Sequence, residues 1–278
     1  MLSNQSIVLI GGSGTLGSAF LQMATDLGAK CAVLGRSVPS VKAPFFRADI
    51  TNPQELSEAA AKARTEMDGL DAVVNFAGTH HQPMNLAKDD PVSMLAEYRR
   101  VMDVNLTGAF LVTSVFAKLM VGARHGHIIH ICSNASRLAL YGSYAYNISK
   151  HGLEGLIKTA AAQLAPFGVR VNGVAPGTVE TGLNRSLLRS ASGGYSPRAA
   201  SILAHTPTKR FATADGVAQT IACMCVPQRH LTGNIVFCDD GYNIEGHSWP
   251  DGNTAVYAGG NAVDDLYNQI DRDYPRDR

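Results

Sequence analysis

The stretch SIVLIGGSGTLG, residues 6–17, decides the fold of this chain. Residues 6–10 are a nearly continuous apolar run, which is typical of a parallel strand buried on both faces. Glycines follow at once, and a helical pattern then extends to Leu27. The glycines match G-x-G-x-x-G from Gly12 or G-x-x-G-x-x-G from Gly11. Either spacing lets the backbone approach a pyrophosphate at the start of a helix. The stretch therefore predicts a strand, a phosphate-binding turn and a helix; a tight turn without a ligand is the alternative.

Alternating strand and helix patterns continue along the chain. The further strand patterns cover residues 30–35, 43–50, 70–78, 126–133, 169–177 and 234–241, and the main helical patterns cover 53–67, 91–122 and 214–226. Strands that alternate with helices predict a parallel sheet with helices on both faces. We therefore expect an α/β, doubly wound, Rossmann-like sheet of about seven strands in a single domain. Its binding crevice should lie at the carboxyl ends of the strands.

Arg36 follows the second strand pattern, where the adenosine ribose of a dinucleotide is usually recognised. A carboxylate there would accept the 2′-hydroxyl of NAD, but positions 35–38 contain no acidic residue. A guanidinium instead matches a 2′-phosphate. Arg36, with Ser37 beside it, therefore favours NADP(H) over NAD(H), and a solvated surface arginine is the alternative interpretation.

Tyr146 and Lys150 form a candidate chemical pair. If the chain is helical from Asn147 onward, residues four apart lie on the same face of the helix. A positive charge about 4 Å from a phenol, at an effective dielectric near 20, favours the ionised phenol by roughly 4 kcal/mol. Such a tyrosine can exchange protons with a substrate. The Y-x-x-x-K spacing alone is a weak motif, but Ser133 ends the preceding strand pattern, where catalytic residues of open sheets belong.

The composition points to small-molecule chemistry. The 278 residues are 45% hydrophobic with 27 glycines, enough for the core of one large α/β domain. A net charge of +1 without a basic run argues against nucleic acid or a membrane surface as a partner. No apolar run reaches about 18 residues, and MLSNQ leads into the first strand without a signal-peptide pattern. We expect a cytoplasmic protein.

The cysteines and histidines do not predict a metal site. Cys31, Cys132, Cys223, Cys225 and Cys238 are scattered through apolar segments, as is typical of reduced, buried thiols rather than a disulfide framework. Neither the C-x-C pair nor the adjacent His80 and His81 has the spacing of metal ligands. The histidines are expected on a loop at the crevice, and His80, Tyr141 and Tyr144 are candidate pocket residues with surface or packing roles as alternatives.

Two segments lack a strand pattern. Residues 178–213 contain SASGGYSP, which predicts a mobile loop between short helices, placed as a substrate lid. Residues 242–278, rich in Gly, Asn and Asp, form a C-terminal extension that packs on a neighbour or is partly disordered. Residues 1–241 would then be the dinucleotide-binding and catalytic domain.

Over about residues 5–241 the chain resembles the short-chain dehydrogenase/reductase family, in its compact single-domain branch. The resemblance rests on the glycine turn at 11–17, Asp49, NFAG at 75–78, Asn105, Ser133, Y-x-x-x-K at 146–150 and PG-x-x-x-T at 176–181. Ser133 stands thirteen residues before Tyr146, as in that family. Each element alone is weakly specific, whereas their combination in this order is highly specific.

The resemblance implies an NADP(H)-dependent oxidoreductase that interconverts a secondary alcohol and a ketone. It assigns Tyr146 as the general acid/base, and Lys150 as the cation that eases the ionisation of Tyr146 and holds the nicotinamide ribose. Ser133 would bond the substrate oxygen, and Asn105 would hold a water that links Lys150 to solvent. Hydride transfer to a carbonyl develops an alkoxide, which needs hydrogen-bond donors and a proton at that oxygen.

The same resemblance implies a set of cofactor contacts. They are Gly11, Ser13, Gly14, Thr15, Leu16 and Gly17 at the phosphates; Arg36 and Ser37 at the ribose; Asp49 and Ile50 at the adenine; Asn75, Ala77 and Gly78 after the fourth strand; and Pro176, Gly177, Val179 and Thr181 at the carboxamide, with Tyr146 and Lys150 at the nicotinamide ribose. Small residues on the helix that follows Lys150 also suit a homodimer or homotetramer.

Two departures from the compact branch keep other functions open. That branch usually has Thr and Gly where this chain has Ile10 and Thr15, and the G-x-x-G-x-x-G spacing is similar to the extended branch of epimerases and dehydratases. A sugar-nucleotide epimerase or dehydratase is therefore one alternative, although the chain after the sixth strand is short for its substrate domain. A non-catalytic dinucleotide-sensing regulator is the other, although such proteins typically lack the tyrosine or the lysine.

Overall fold

A computed structural model describes residues 2–80, 85–140, 143–227 and 230–244 of the chain. Seven strands form one sheet: β1 (Ser6–Ile10), β2 (Lys30–Gly35), β3 (Phe45–Arg47), β4 (Ala72–Asn75), β5 (Gly126–Ile131), β6 (Val169–Pro176) and β7 (Ile235–Cys238). The strand order is β3-β2-β1-β4-β5-β6-β7, and every neighbouring pair is parallel. The expected doubly wound parallel sheet of about seven strands is therefore confirmed.

Helices cover both faces of the sheet. They are α1 (Thr15–Asp26), α2 (Pro53–Met67), α3 (Pro91–Met102), α4 (Gly108–Val121), α5 (Tyr144–Leu164), α6 (Arg185–Leu188), α7 (Pro197–Ala204) and α8 (Ala214–Cys225). A π-helical turn, Asp103–Thr107, joins α3 to α4, and single 3-10 turns span Asn134–Ser136 and Ala165–Phe167. Helix α5 begins three residues before the expected position, so Tyr146 lies within its first turn.

Strand β1 shows why the helices lie on both faces. Successive side chains of a strand point to opposite faces. Val8 and Ile10 are fully buried in a core cluster with α2, α4 and α5, whereas Ile7 and Leu9 are fully buried in a second cluster with α1 and α8. A strand that is buried on both faces needs no polar alternation, which explains the apolar run that identified it in the sequence.

Several strands end earlier than their sequence patterns. The pattern at 43–50 predicts a strand through Asp49 and Ile50, but β3 ends at Arg47. The reason is local, because the Asp49 carboxylate accepts hydrogen bonds from both the backbone N–H and the hydroxyl of Thr51. This side-chain turn replaces ladder bonding. Ser133 likewise lies two residues beyond the end of β5, which places it at the rim of the sheet.

The helix formed by α3, the π turn and α4, Pro91–Val121, is long and apolar enough to cross a membrane by length and composition alone. Several of its apolar residues lie inside the protein. Val112, Phe116 and Met120 are almost completely buried in the core cluster beneath the sheet. The hydropathy of this helix therefore follows from its packing in an α/β core.

Four of the five cysteines lie at least partly inside the protein, and all five are free thiols. Burial raises the pKa of both Cys132 and Cys225 to about 12, which keeps these thiols protonated. Cys223 is exposed, so the expectation of buried thiols is wrong at this position. It lies two residues before Cys225 on α8, and such a spacing turns one side chain toward solvent when the other faces the core.

Residues 178–213 contain α6, α7 and one antiparallel bridge between Arg189 and Tyr195. Glu180 accepts hydrogen bonds from the Arg189 guanidinium, which lies 4.6 Å from the centre of the Tyr195 ring. The expected short helices are present, and side-chain contacts rather than a strand ladder organise the segment between them.

His127 and His130 lie on β5 and are buried. The rings face opposite sides of the sheet, with His127 bonded to Asn172 and His130 to Asn75 and Thr113. Burial is the main reason that the pKa of each imidazole falls from 6.5 to about 3. Both rings are therefore neutral in the folded protein at neutral pH, and they serve as packed polar groups rather than a site.

We expect the free energy of unfolding to decrease as the pH falls from about 7 toward 5. Between pH 6.5 and 3 the unfolded chain binds a proton at each histidine that the folded chain excludes, so stability declines by up to roughly 1.4 kcal/mol per pH unit for each ring. Chemical denaturation at pH 8, 7, 6 and 5 measures this slope. His130→Gln should remove the contribution of one proton, roughly 1.4 kcal/mol per pH unit, from this slope. The matched change His205→Gln, at an exposed ring, should leave the slope unchanged. Equal slopes for wild type and His130→Gln would contradict the assignment.

Candidate active site

The glycine turn connects β1 to α1 without room for larger side chains. Gly11 has φ +72°, a left-handed conformation that favours glycine. A Cβ on Gly17 would lie 2.7 Å from the Cα of Gly12, so the turn and the first helical turn are in direct backbone contact. Gly14 precedes α1 and provides no side-chain cap for the amide groups of its first turn. This arrangement has the backbone approach and the helix terminus that a pyrophosphate requires.

Ser13, Thr15 and Leu16 complete this turn. Ser13 and Thr15 are exposed and Leu16 is half-buried. All three therefore border the crevice at the carboxyl end of β1, where the sequence places the cofactor phosphates.

Arg36 and Ser37 follow β2 directly and are exposed. Two charged residues lie near them, one on β3 and one just after that strand. Arg47, on β3, is the register partner of Gly35, and Arg36 lies near enough to Asp49 to contribute to its lowered pKa. The larger cause of that lowered pKa is hydrogen bonding from Thr51. The sequence analysis missed Arg47, because a cation on a short edge strand has no pattern of its own.

Ile50 is buried and packs against Gly108 at the start of α4, where a Cβ would lie 2.6 Å from the Ile50 Cδ1. Strand β4 ends at Asn75, whose Oδ1 accepts a hydrogen bond from the N–H of Ala77. A Cβ on Gly11 would lie 3.0 Å from the same nitrogen of Ala77. The loops after β1 and β4 therefore meet at the backbone, with Gly78 next in the chain.

Asn105 lies in the π turn and is 2% exposed. Its Oδ1 accepts from the N–H of Thr79 at 2.7 Å, and its Nδ2 donates to the carbonyl of Thr79 at 2.9 Å and to the Ser149 hydroxyl at 3.1 Å. The Ser149 hydroxyl donates in turn to the carbonyl of Tyr146. Asn105 therefore joins the loop after β4 to helix α5, which explains an asparagine inside a long helix.

Tyr146 and Lys150 lie near the carboxyl end of β5, and Ser133 lies two residues beyond that strand. Lys150 is 6% exposed, and its Nζ donates to the carbonyl of Ile131, the last residue of β5, at 2.8 Å. The same Nζ lies 5.6 Å from the centre of the Tyr146 ring. Ser133 caps the following 3-10 turn by accepting from the N–H of Ala135. A half-buried phenol and a buried ammonium therefore lie near the carboxyl end of β5, and the chain that leaves this strand contains Ser133.

The segment after β6 brings the remaining expected cofactor residues to the same edge. Pro176 ends β6, and Gly177 is packed so closely that a Cβ would lie 2.8 Å from the Cα of Asp239. Val179 is buried. The Thr181 hydroxyl accepts a hydrogen bond from the N–H of Leu183 and so takes part in a local turn.

Of the candidate pocket residues, His80 is the one with a described contact to Tyr146. Its ring packs on the ring of Tyr146 with 4.7 Å between the centroids. Tyr144 is half-buried in the first turn of α5, while His81 and Tyr141 lie outside the described residues. The sequence analysis gave no reason to pair His80 with Tyr146, because they are 66 residues apart and no periodicity relates them.

Two cavities of about 420 and 470 Å³ lie away from Tyr146. The first is lined by residues of the 178–213 segment and by the start of α8, and the second by the start of α8 and the end of β7. They adjoin the crevice on the β6–β7 side. Neither is lined by Ser133, Tyr146 or Lys150.

The chain is similar to several known proteins. Residues 19–243 match a family model described as enoyl-(acyl carrier protein) reductase. Short-chain dehydrogenase reductase 3a of Arabidopsis thaliana is 35% identical over 66% of this chain and 74% of that protein. The 3-oxoacyl-(acyl-carrier-protein) reductase FabG of Aquifex aeolicus is 30% identical over 72% of this chain and 77% of that protein.

The fold comparison agrees with these relatives. The ligand-free aldohexose dehydrogenase of Thermoplasma acidophilum aligns with a TM-score of 0.79 and 26% identity, covering 88% of this chain and 96% of that chain. The alignment thus includes nearly the whole of a solved dehydrogenase. The chain therefore belongs to the short-chain dehydrogenase/reductase family, whose members use NAD(P)(H) to act on CH–OH and C=O groups.

Proposed function

We propose that this enzyme is NADP(H)-dependent and interconverts a secondary alcohol and a ketone, with Tyr146 as the general acid/base. The observation that carries the proposal is the position of Lys150. Its buried ammonium is bonded to the last carbonyl of β5 and lies 5.6 Å from the Tyr146 ring centre. A cation held beside a phenol favours the phenolate, so the same hydroxyl can donate a proton and later recover it.

Tyr146 and Ser133 have different roles at the substrate oxygen. During reduction the Tyr146 hydroxyl donates its proton to the oxygen as negative charge develops there, and the Ser133 hydroxyl donates a second hydrogen bond. During oxidation Tyr146 accepts the proton of the alcohol. The nicotinamide, when bound, supplies or accepts the hydride. Lys150 opposes the negative charge that Tyr146 carries after it gives up its proton in reduction and before it accepts one in oxidation.

Asn105 has a narrower role in this proposal than the resemblance alone implies. Both N–H groups of its side chain donate to protein atoms, one to the Thr79 carbonyl and one to the Ser149 hydroxyl. A water at the Asn105 side chain would therefore donate to Oδ1, since Asn has no further donor there. We assign Asn105 to shaping the path by which Lys150 exchanges protons with solvent.

The cofactor is proposed to lie across the loops after β1, β2, β4 and β6. The uncapped start of α1 suits its phosphates, and Arg36 with Arg47 suits a 2′-phosphate, because two exposed cations flank the end of β2. Asp49 and Ile50 would flank the adenine. Asn75, Ala77 and Gly78 would border the ribose, and Pro176, Gly177, Val179 and Thr181 would meet the nicotinamide.

We further propose a cytoplasmic homodimer or homotetramer acting on a small molecule, with residues 178–213 as a substrate lid. Support for assembly comes from apolar side chains on the surface of three consecutive helices. Leu95 on α3, Phe110 on α4 and Ile148 on α5 are each at least 45% exposed. Exposed apolar side chains grouped on packed helices are typical of subunit interfaces.

Tyr146→Phe tests the chemistry. The substitution removes the hydroxyl that exchanges the proton and keeps the ring, so turnover of a ketone panel should decrease by roughly 100-fold or more, while NADPH binding is retained. NADPH oxidation measures turnover and NADPH fluorescence measures binding. Tyr98→Phe, at a half-buried phenol on α3, is the matched control and should keep its turnover. Wild-type turnover in Tyr146→Phe would refute the mechanism.

Arg36→Asp tests the cofactor preference. Loss of a charge-assisted hydrogen bond to the 2′-phosphate should weaken NADPH binding by roughly tenfold or more. NADH binding should hold or improve, because a carboxylate accepts the 2′-hydroxyl. Fluorescence titration with both cofactors measures the ratio. Arg124→Asp makes the same charge change before β5, at the opposite end of the sheet, and should leave the ratio unaltered. Equal NADPH and NADH affinities in the wild type would contradict the assignment of Arg36 to the 2′-phosphate.

A further inference from the structure

The loop after β4 is fixed by two residues of one helix. Asn105 bonds both the N–H and the carbonyl of Thr79. The Arg100 guanidinium donates to the Thr79 hydroxyl at 3.0 Å and to the His80 carbonyl at 2.7 Å. Glu97 accepts two further hydrogen bonds from the same guanidinium, each 2.7 Å long. Thr79 and His80 are therefore held by their backbone and by one side chain.

The π turn explains how Arg100 and Asn105 reach the same loop. Residues five apart on an α-helix lie about 140° apart around its axis. The π turn begins at Asp103, between the two residues, and its i→i+5 bonding widens the turn. The wider turn reduces the angular separation between the two side chains. This local irregularity thus supplies two supports for one loop.

These supports fix the backbone that carries the ring of His80. The half-buried imidazole packs on Tyr146 with a centroid distance of 4.7 Å and an interplanar angle of 34°. The nitrogens of an imidazole form hydrogen bonds in the plane of the ring. Because the face of this imidazole packs on Tyr146, its nitrogens form hydrogen bonds beside the phenol ring and not with the face of that ring.

We propose that His80 is a specificity-determining residue that hydrogen-bonds an oxygen substituent on the carbon next to the reacting carbonyl, and that Arg100 is its positioning residue. The proposal rests on the proposed function, in which Tyr146 bonds the carbonyl oxygen. With that oxygen at the Tyr146 hydroxyl, atoms attached to the neighbouring carbon would lie near the imidazole that packs on the phenol. The substrate class is then a hydroxyketone or a keto acid rather than a plain ketone.

The position of His80 is tested without catalysis. In ¹H–¹³C spectra of the full-length protein, the imidazole signal that is absent from His80→Phe belongs to His80. Arg100→Ala should shift this signal toward that of a solvated histidine, because the ring leaves Tyr146. The control Arg99→Ala removes the adjacent guanidinium of the same helix and should leave the signal in place. A His80 signal that Arg100→Ala does not move would refute the positioning role.

The specificity is tested with paired substrates. The best ketone of the panel is compared with its analogue in which the oxygen substituent next to the carbonyl is replaced by hydrogen. His80→Phe keeps a ring beside Tyr146 but removes the hydrogen bond, so kcat/KM for the substituted ketone should decrease roughly tenfold, mainly through KM, with less than twofold change for the analogue. Arg100→Ala should reduce the same preference.

Equal losses for both members of the pair would overturn the role of His80, and so would a best substrate that has no such oxygen. Either result can be distinguished from a failure of the proposed function itself. If Tyr146→Phe keeps wild-type turnover, the assignment of Tyr146 fails, whereas the His80 signal and the substrate preference still report on His80 and Arg100 separately.

Discussion

The buried ammonium of Lys150 is the constraint on which the rest of the site depends. A charge that is removed from water must be compensated by hydrogen bonds or by an opposite charge. In this protein the compensation includes the last carbonyl of β5, 2.8 Å from Nζ. That bond fixes helix α5 against the carboxyl end of the strand. It thereby sets where Tyr146, one helical turn earlier, enters the crevice.

The polar groups near this cation are neutral. Burial and, after it, the Lys150 charge lower the pKa of His130, so that ring stays neutral and forms hydrogen bonds with Asn75 and Thr113. Asn75 uses its other end to hold the N–H of Ala77 at the crevice. A neutral polar chain thus extends beneath the site from β5 to the loop after β4. It organises the backbone there without placing a second charge beside Lys150.

The sequence predicts the parts of the site that depend on regular structure. The parallel sheet, the glycine turn and the positions of Ser133, Tyr146 and Lys150 follow from apolar periodicity and from spacing along a strand or helix. The contacts of Arg100 and His80 do not, because they join residues from separate elements through a π turn. The local turn that uses the Thr181 hydroxyl and the early end of β3 at Asp49 are likewise decided by side-chain hydrogen bonds. Such bonds compete with regular structure and have no periodic signal.

The two sides of the crevice are built by different kinds of interaction. On the β1 side, Gly11 and Gly17 are in close contact with neighbouring backbone, so this wall has little freedom to change without steric conflict. On the β6 side, Glu180, Arg189 and Tyr195 are joined by ionic and cation–π contacts near the surface. Such exposed pairs contribute little to the stability of a fold. The β6 side can therefore vary in sequence and position while the sheet and the glycine turn stay fixed, which suits a family with one cofactor chemistry and many substrates.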